Sequence, residues 1–186
     1  IAGLSNLNKD YLGYIIRNLE ELDAIADTII VDTGAGISDA VLEFLVASGE
    51  ILLVTTPEPT SITDSYSLLK ALNRHPRFSS EASRIKVIAN KVSSQEEGEI
   101  LFGKLNAVVS GYLKLPIVYL DAVPDDTQLS QAVMQQMPVS LQSPQAKSAL
   151  AFEKIAEKLM NIEKDQKVQK RGMAAFFSHI VNGKKI

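Results

Sequence analysis

The sequence predicts an α/β protein, a parallel sheet flanked by helices on both faces, on three observations. Four short segments are nearly continuous in apolar and β-branched residues: 28–33 (TIIVDT), 51–56 (ILLVTT), 85–90 (IKVIAN) and 116–123 (PIVYLDAV). Such runs suit parallel strands buried on both faces, where no side is left for an alternating polar residue. Between them lie apolar residues at helical spacing, and strand and helix patterns alternate along the chain.

The helical patterns fall in order. Tyr11, Leu12, Ile15, Ile16 and Leu19 precede the first strand, and Val41, Leu42, Leu45 and Val46 follow it. Ile62, Tyr66, Leu69 and Leu72 form the next face, and Ile100, Leu101, Leu105 and Val108 the one after. Beyond the last strand come a helix over 126–136, a loop at Pro138, and a long helix with Ser143 as N-cap and Pro144 in its first position. That helix runs through Phe152, Ile155, Ala156, Leu159 and Ile162. Ser61 and Thr63 read as caps of the helix after Pro59, and residues 95–99 as a solvated, acidic first turn.

Composition excludes several classes. With no cysteine and only His75 and His179, the chain offers no disulfide scaffold, thiolate metal site or Cys/His dyad. No apolar run approaches the roughly 18 residues of a spanning helix. The formal charge of −3 is unevenly spread. From Lys164 onward, Lys164, Lys167, Lys170, Arg171, Lys184 and Lys185 face Asp165 alone, a net of +5 that leaves −8 on the body. A basic tail on an acidic body suggests a partner of its own.

In open parallel sheets, ligands bind beyond the carboxyl ends of the strands. Here those ends read DTGAGIS from Asp32, TTPEPT from Thr55, NKV from Asn90 and VPDD from Val123. A carboxylate ending an apolar strand suits a Walker B role, ordering Mg²⁺ or its water shell. Gly34 and Gly36 would let the backbone come close to a phosphate. The same spacing also suits a tight strand-to-helix turn in which Asp32 bonds backbone amides, and spacing leaves both open.

DTGAGIS after a strand, followed by TTPEPTSITDSY, resembles the MinD/ParA-type P-loop ATPases, nearest the branch controlling flagellar number and placement (FlhG, also called FleN). The resemblance runs to about Glu163 and implies ATP/ADP and Mg²⁺ as cofactors. It makes Asp32 the Walker B carboxylate and Gly34 and Gly36 part of switch II. Asn90 becomes the residue whose amide meets the adenine edge, and Pro124 and Asp125 the loop over the base. An Asn amide has the donor and acceptor that such an edge needs; as bare residues, Asn90 and Pro124 also suit strand-end turns.

The family's KGGVGKT loop and switch I aspartate do not occur in this sequence. The string from Gly98 to Gly103-Lys104 matches G-x4-G-K but lacks the Ser/Thr for Mg²⁺ and lies in a helical pattern with an apolar middle, so it reads as a decoy. The resemblance therefore implies an N-terminally incomplete domain, with roughly a hundred residues missing ahead of residues 1–23. Without that loop the chain as given is expected not to hydrolyse ATP.

Three regions result: 1–163, the C-terminal part of the ATPase domain; 164–171, a basic linker; and 172–186, an amphipathic helix. Met173, Phe176, Phe177, Ile180 and Val181 fall on one helical face, with Lys170 and Arg171 before it and Lys184 and Lys185 after. This suits an interfacial membrane helix; the alternative is a helix packed on the body or on a neighbouring chain. The family ends in a membrane-targeting helix held back in the monomer. The resemblance further implies an ATP-dependent homodimer on anionic lipids of the inner membrane, cytoplasmic otherwise, with the GTPase FlhF and basal-body proteins as partners and no direct nucleic acid. Two other readings remain: a membrane-tethered adaptor without a P-loop, and a relative acting in cell division or chromosome partition.

Overall fold

The computed structural model describes residues 22–79, 84–165, Met173 and Phe176. The expected helix at 11–19 lies outside them, as do Lys170, Arg171, Phe177 and Ile180 of the tail. The elements are α1 (Leu22–Ile25), α2 (Asp39–Ala47), β1 (Ile51–Thr55), α3 (Pro59–Asn73), β2 (Ile85–Val92), α4 (Gln95–Leu113), β3 (Val118–Pro124), α5 (Thr127–Met134), α6 (Val139–Gln142) and α7 (Lys147–Asp165). They divide into two compact units, one holding Ile51–Leu69 and Ser80–Val168, the other the remainder.

The larger unit is built on a parallel sheet of order β1-β2-β3. Its central strand β2 is hydrogen-bonded on both sides and buried for most of its length. One sheet face packs Ala89, Val92 and Ala122 against Leu101 of α4, with Ile62 of α3 beside them. The opposite face packs Ile88, Leu120 and Val123 against Ile155 of α7, with Ala151 and Leu159 adjoining. Helices thus cover both faces, as expected. β1 departs from that expectation, alternating buried and exposed positions with Leu52 and Val54 facing out.

The registers carry two irregularities, between Val87 and Ile88 and between Asn90 and Val92. The first leaves Leu120 as an extra residue in β3, so Leu120 and Val123 share one apolar cluster although three apart. The second leaves Lys91 as an extra residue in β2, with a left-handed φ of 55°. An extra residue is how a strand departs from its two-residue side-chain period.

Local chemistry fixes the helix starts. Ser94 caps α4 by accepting from the Glu97 N–H at 3.2 Å, while Glu97 accepts from the Ser93 N–H at 2.6 Å, a reciprocal arrangement close to a capping box. Ser61 does not cap α3, which already begins at Pro59; its Oγ accepts from the Thr56 N–H at 3.0 Å and so ties the helix back to β1. Thr63 Oγ1 donates to the Pro59 carbonyl at 2.9 Å. The last long helix begins at Lys147, later than Ser143–Pro144 suggested. Its first turn is served by Asp126, which accepts from the Ser148 N–H at 3.0 Å and the Ser148 hydroxyl at 2.9 Å. A carboxylate distant in sequence has taken the cap, and residues 143–146 form a turn instead.

In the second unit, residues 28–33 are not a strand: the segment is irregular and exposed, Ile30 to 80%. A strand gains its backbone hydrogen bonds only from a neighbour, and among the described residues none pairs with this one. Ser38 caps α2, and Ala47 of α2 packs against Met173 and Phe176 of the tail, with Phe44 alongside. The Phe44 and Phe176 rings stack with centroids 5.8 Å apart. Burying such a ring contributes about 1.5–3 kcal/mol, so the described part of the tail's apolar face is occupied within the chain. Glu43 of α2 forms an ion pair with Arg77.

Gly98 explains how closely α4 approaches the sheet. A Cβ there would lie 2.9 Å from the Ala122 Cβ, 3.3 Å from the Ala89 Cβ and 2.7 Å from the Tyr119 hydroxyl. The G-x4-G-K string is therefore a helix-packing feature, in keeping with its apolar middle. Gly98→Ala should lower the urea-unfolding midpoint: overpacking costs about 1–3 kcal/mol, more than the roughly 1 kcal/mol of helix propensity gained.

Candidate functional site

The carboxyl ends of β2 and β3 bring Asn90, Pro124 and Asp125 together. Asn90 lies in register with Val123, and Val92 with Pro124. Past the bulge, the Asp125 N–H donates to the Val92 carbonyl at 2.9 Å, tying the loop after β3 to the end of β2. Asn90 is partly buried, and its carboxamide has no hydrogen-bond partner among the described residues. A partly buried amide with both functions unused is an arrangement that a ligand can complete. Asp125 is exposed and Pro124 partly buried.

The neighbouring Asp126 has a different task. Besides holding Ser148, it caps α5 by accepting from the Gln128 N–H at 2.9 Å. These bonds, from the Ser148 N–H first and the Gln128 N–H next, hold its carboxyl below the usual carboxylate range.

Asp32, Gly34 and Gly36 lie in the other unit, on the exposed segment ahead of α2. Gly36 has φ of 102°, a backbone that side-chain-bearing residues rarely adopt. Asp32 accepts no backbone amide among the described residues. No group of three or more His, Cys, Asp or Glu side chains able to hold a metal occurs among the described residues. Among the described residues no helix is long and apolar enough to cross a membrane.

Sequence reasoning missed Asp121. It is buried in β3, and its Oδ1 accepts from Gln95 Nε2 at 2.7 Å and from the Ala122 N–H at 2.9 Å. Its Oδ2 meets no hydrogen bond of regular angle but faces Lys158 Nζ at 2.7 Å and Lys154 Nζ at 3.1 Å. Lys158 also donates to the Leu120 carbonyl at 2.9 Å. Gln95 belongs to α4 and the lysines to α7, so residues from both sheet faces meet on one carboxylate. Burial alone would push its pKa up; the Lys158 ammonium, the Ala122 N–H, Gln95 and Lys154 outweigh that and hold it far below the ordinary range. A cleft of ≈ 260 Å³ opens beside it, lined by Val92, Gln95, Pro124, Leu150 and Lys154 among others. The one sequence signal was a charge inside an apolar strand run.

No protein-family model matches the chain. Its fold is similar to that of a ParA family ATPase from Chlorobium tepidum TLS, with a TM-score of 0.58 at 21% identity, over 80% of this chain and 57% of the other. Taken with its sequence relatives, the chain belongs to the MinD/ParA-type ATPase family. It is 39% identical over 145 residues to the antiactivator FleN of Pseudomonas aeruginosa, covering 78% of this chain and 50% of that one. It is 30% identical over 158 residues to the flagellum site-determining protein YlxH of Helicobacter pylori, covering 83% and 52%. A chloroplastic septum site-determining MinD homologue of Arabidopsis thaliana is 28% identical over 158 residues, covering 81% and 46%. The chain spans about half the length of these curated relatives.

The Asp121 cluster carries a pH dependence. Its folded pKa lies below the unfolded value of about 3.9, so its contribution to stability is complete above about pH 4 and is lost as pH falls further. Urea midpoints measured from about pH 6 down to about pH 3 should fall in the parent protein, and fall less steeply in Asp121→Asn.

Proposed function

We propose that this chain is part of a nucleotide-switched ATPase of the MinD type that regulates flagellar number and placement. The observation that carries the reading is the 39% identity to FleN over 78% of the chain. The unpartnered Asn90 carboxamide beside the Pro124–Asp125 loop supports it. In this reading ATP meets the ends of β2 and β3, where Asn90 reads the adenine edge and Pro124 and Asp125 close over the base; Asp32 would order the water of Mg²⁺. Mg²⁺, when bound, would neutralise charge developing on the phosphates. Gly34 and Gly36 would give the backbone room beside the terminal phosphate.

The switch would act through α2. This helix starts three residues after Gly36 and carries Phe44 and Ala47, the surface against which Met173 and Phe176 are buried. A phosphate-dependent change at 34–36 would reach that surface directly and release the tail. The freed face, with Phe177 and Ile180 and with Lys170 and Arg171 at its border, would then enter the inner face of the cell membrane. Each cation near an anionic leaflet contributes about 1 kcal/mol, and two tails in an ATP-dependent homodimer strengthen a weak contact by avidity. FlhF and basal-body proteins would be the partners in the flagellar role. The 28% identity to a MinD homologue favours a second reading, a division-site role with the same switch.

The full-length gene product should become dimeric in light scattering with ATP and Mg²⁺ but not with ADP, and should sediment with anionic vesicles only as the dimer. Asp32→Ala should slow hydrolysis by about two orders of magnitude, comparable to removing one preorganised electrostatic contact. Phe176→Glu should abolish vesicle binding. Equal vesicle binding with ATP, with ADP and without nucleotide would sink the switch.

A further inference from the structure

We propose that Lys91 is a positioning residue whose left-handed backbone aims the Asn90 carboxamide, and that it acts through its φ and not through its charge. The inference rests on the reading in which Asn90 meets the base.

In an unbroken strand, side chains two apart share a face. Ala89 and Val92 are three apart, yet both are buried in the cluster against Leu101 of α4. Only an extra residue between them permits this, and that residue is Lys91, since Asn90 pairs with Val123 and Val92 with Pro124, its very next neighbour. Without the bulge, Lys91 would stand opposite Pro124. Val92 would then share the face of Asn90, and one of the two would be misdirected: Val92 out of the core, or Asn90 into it. The bulge therefore lets β2 bury Val92 on the α4 side while Asn90 faces elsewhere. It also places the Val92 carbonyl where the Asp125 N–H meets it at 2.9 Å, so one backbone irregularity sets both Asn90 and the loop after Pro124.

Lys91 adopts φ of 55°, which non-glycine residues enter only at a cost. Its side chain is exposed and makes no ion pair or hydrogen bond among the described residues, so nothing in its ammonium explains the conformation. Gly and Asn accept this backbone readily, while β-branched residues resist it.

The test compares ATP and GTP affinities of the full-length gene product by calorimetry, for the parent and for Lys91→Gly, Lys91→Asn, Lys91→Val and Asn90→Ala. The ratio of the two affinities is the readout, because general destabilisation weakens both nucleotides alike. Gly and Asn, though uncharged, should keep the parent ratio within about twofold, and Val should lower it about tenfold or more through loss of ATP affinity. Where the Val variant fails to fold, Lys91→Ala should show a smaller loss in the same direction. A parent-like ratio in both Lys91→Val and Lys91→Ala overturns the proposal, and so does a loss in Lys91→Gly matching that in Lys91→Val, which would make the ammonium the cause. A parent-like ratio in Asn90→Ala removes the reading of Asn90 itself, and the proposal with it.

Discussion

The larger unit depends on β2 having a partner on every side. Its backbone is bonded to β1 and β3, and its side chains meet α4 on one face and α7 on the other. A strand so enclosed cannot shift by one residue without turning its apolar side chains to the wrong layers. The departures from regular pairing then have to be absorbed at single residues. Leu120 does so in β3 and Lys91 in β2, the latter one residue from the carboxyl end where ligands of such sheets bind. Gly98 belongs to the same constraint, because the closeness of α4 to Ala89 and Ala122 leaves no room for a methyl group.

What the sequence made legible was whatever is encoded locally. The runs at 51–56, 85–90 and 116–123 announce strands because β-branched residues suit a covered sheet, and the structure places β1, β2 and β3 on them within a few residues. Asn90, Pro124 and Asp125 were grouped by resemblance; in the structure Asn90 pairs with Val123, the residue before Pro124, and the Asp125 N–H meets the Val92 carbonyl. What stayed illegible depends on partners remote in the chain. Asp126 serves the first turn of α7, twenty-two residues on, and so displaces Ser143 as its cap. Ser61 reads as a helix cap until β1 claims its hydroxyl. Asp121 looks like an interruption of an apolar run until Gln95, Lys154 and Lys158 gather round it. The segment 28–33 shows the converse: its composition is that of a strand, but composition supplies no hydrogen-bonding neighbour.

The tail connects packing to the proposed switch in a similar way. Its apolar face is sufficient to bury aromatic surface but does not specify against what. Phe44 and Ala47 supply that surface in the structure, and a lipid leaflet would offer the same chemistry. In the switch proposed above, the tail would turn to the leaflet once α2 no longer offers Phe44 and Ala47.

The ring of groups about Asp121 bears on how this sheet can grow. Among the described residues β3 is an edge strand, and such an edge ordinarily offers unpaired backbone groups to any passing strand. The β2 side of β3 is filled by the ladder, so residues of α4 and α7 that both reach Asp121 must meet around the free side. There Lys158 already holds the Leu120 carbonyl, and the bulge distorts the line along which a new strand would align. Among the described residues no such guard stands at β1, and no further strand pairs with it. Among the described residues the sheet is thus guarded at its β3 margin and unguarded at its β1 margin.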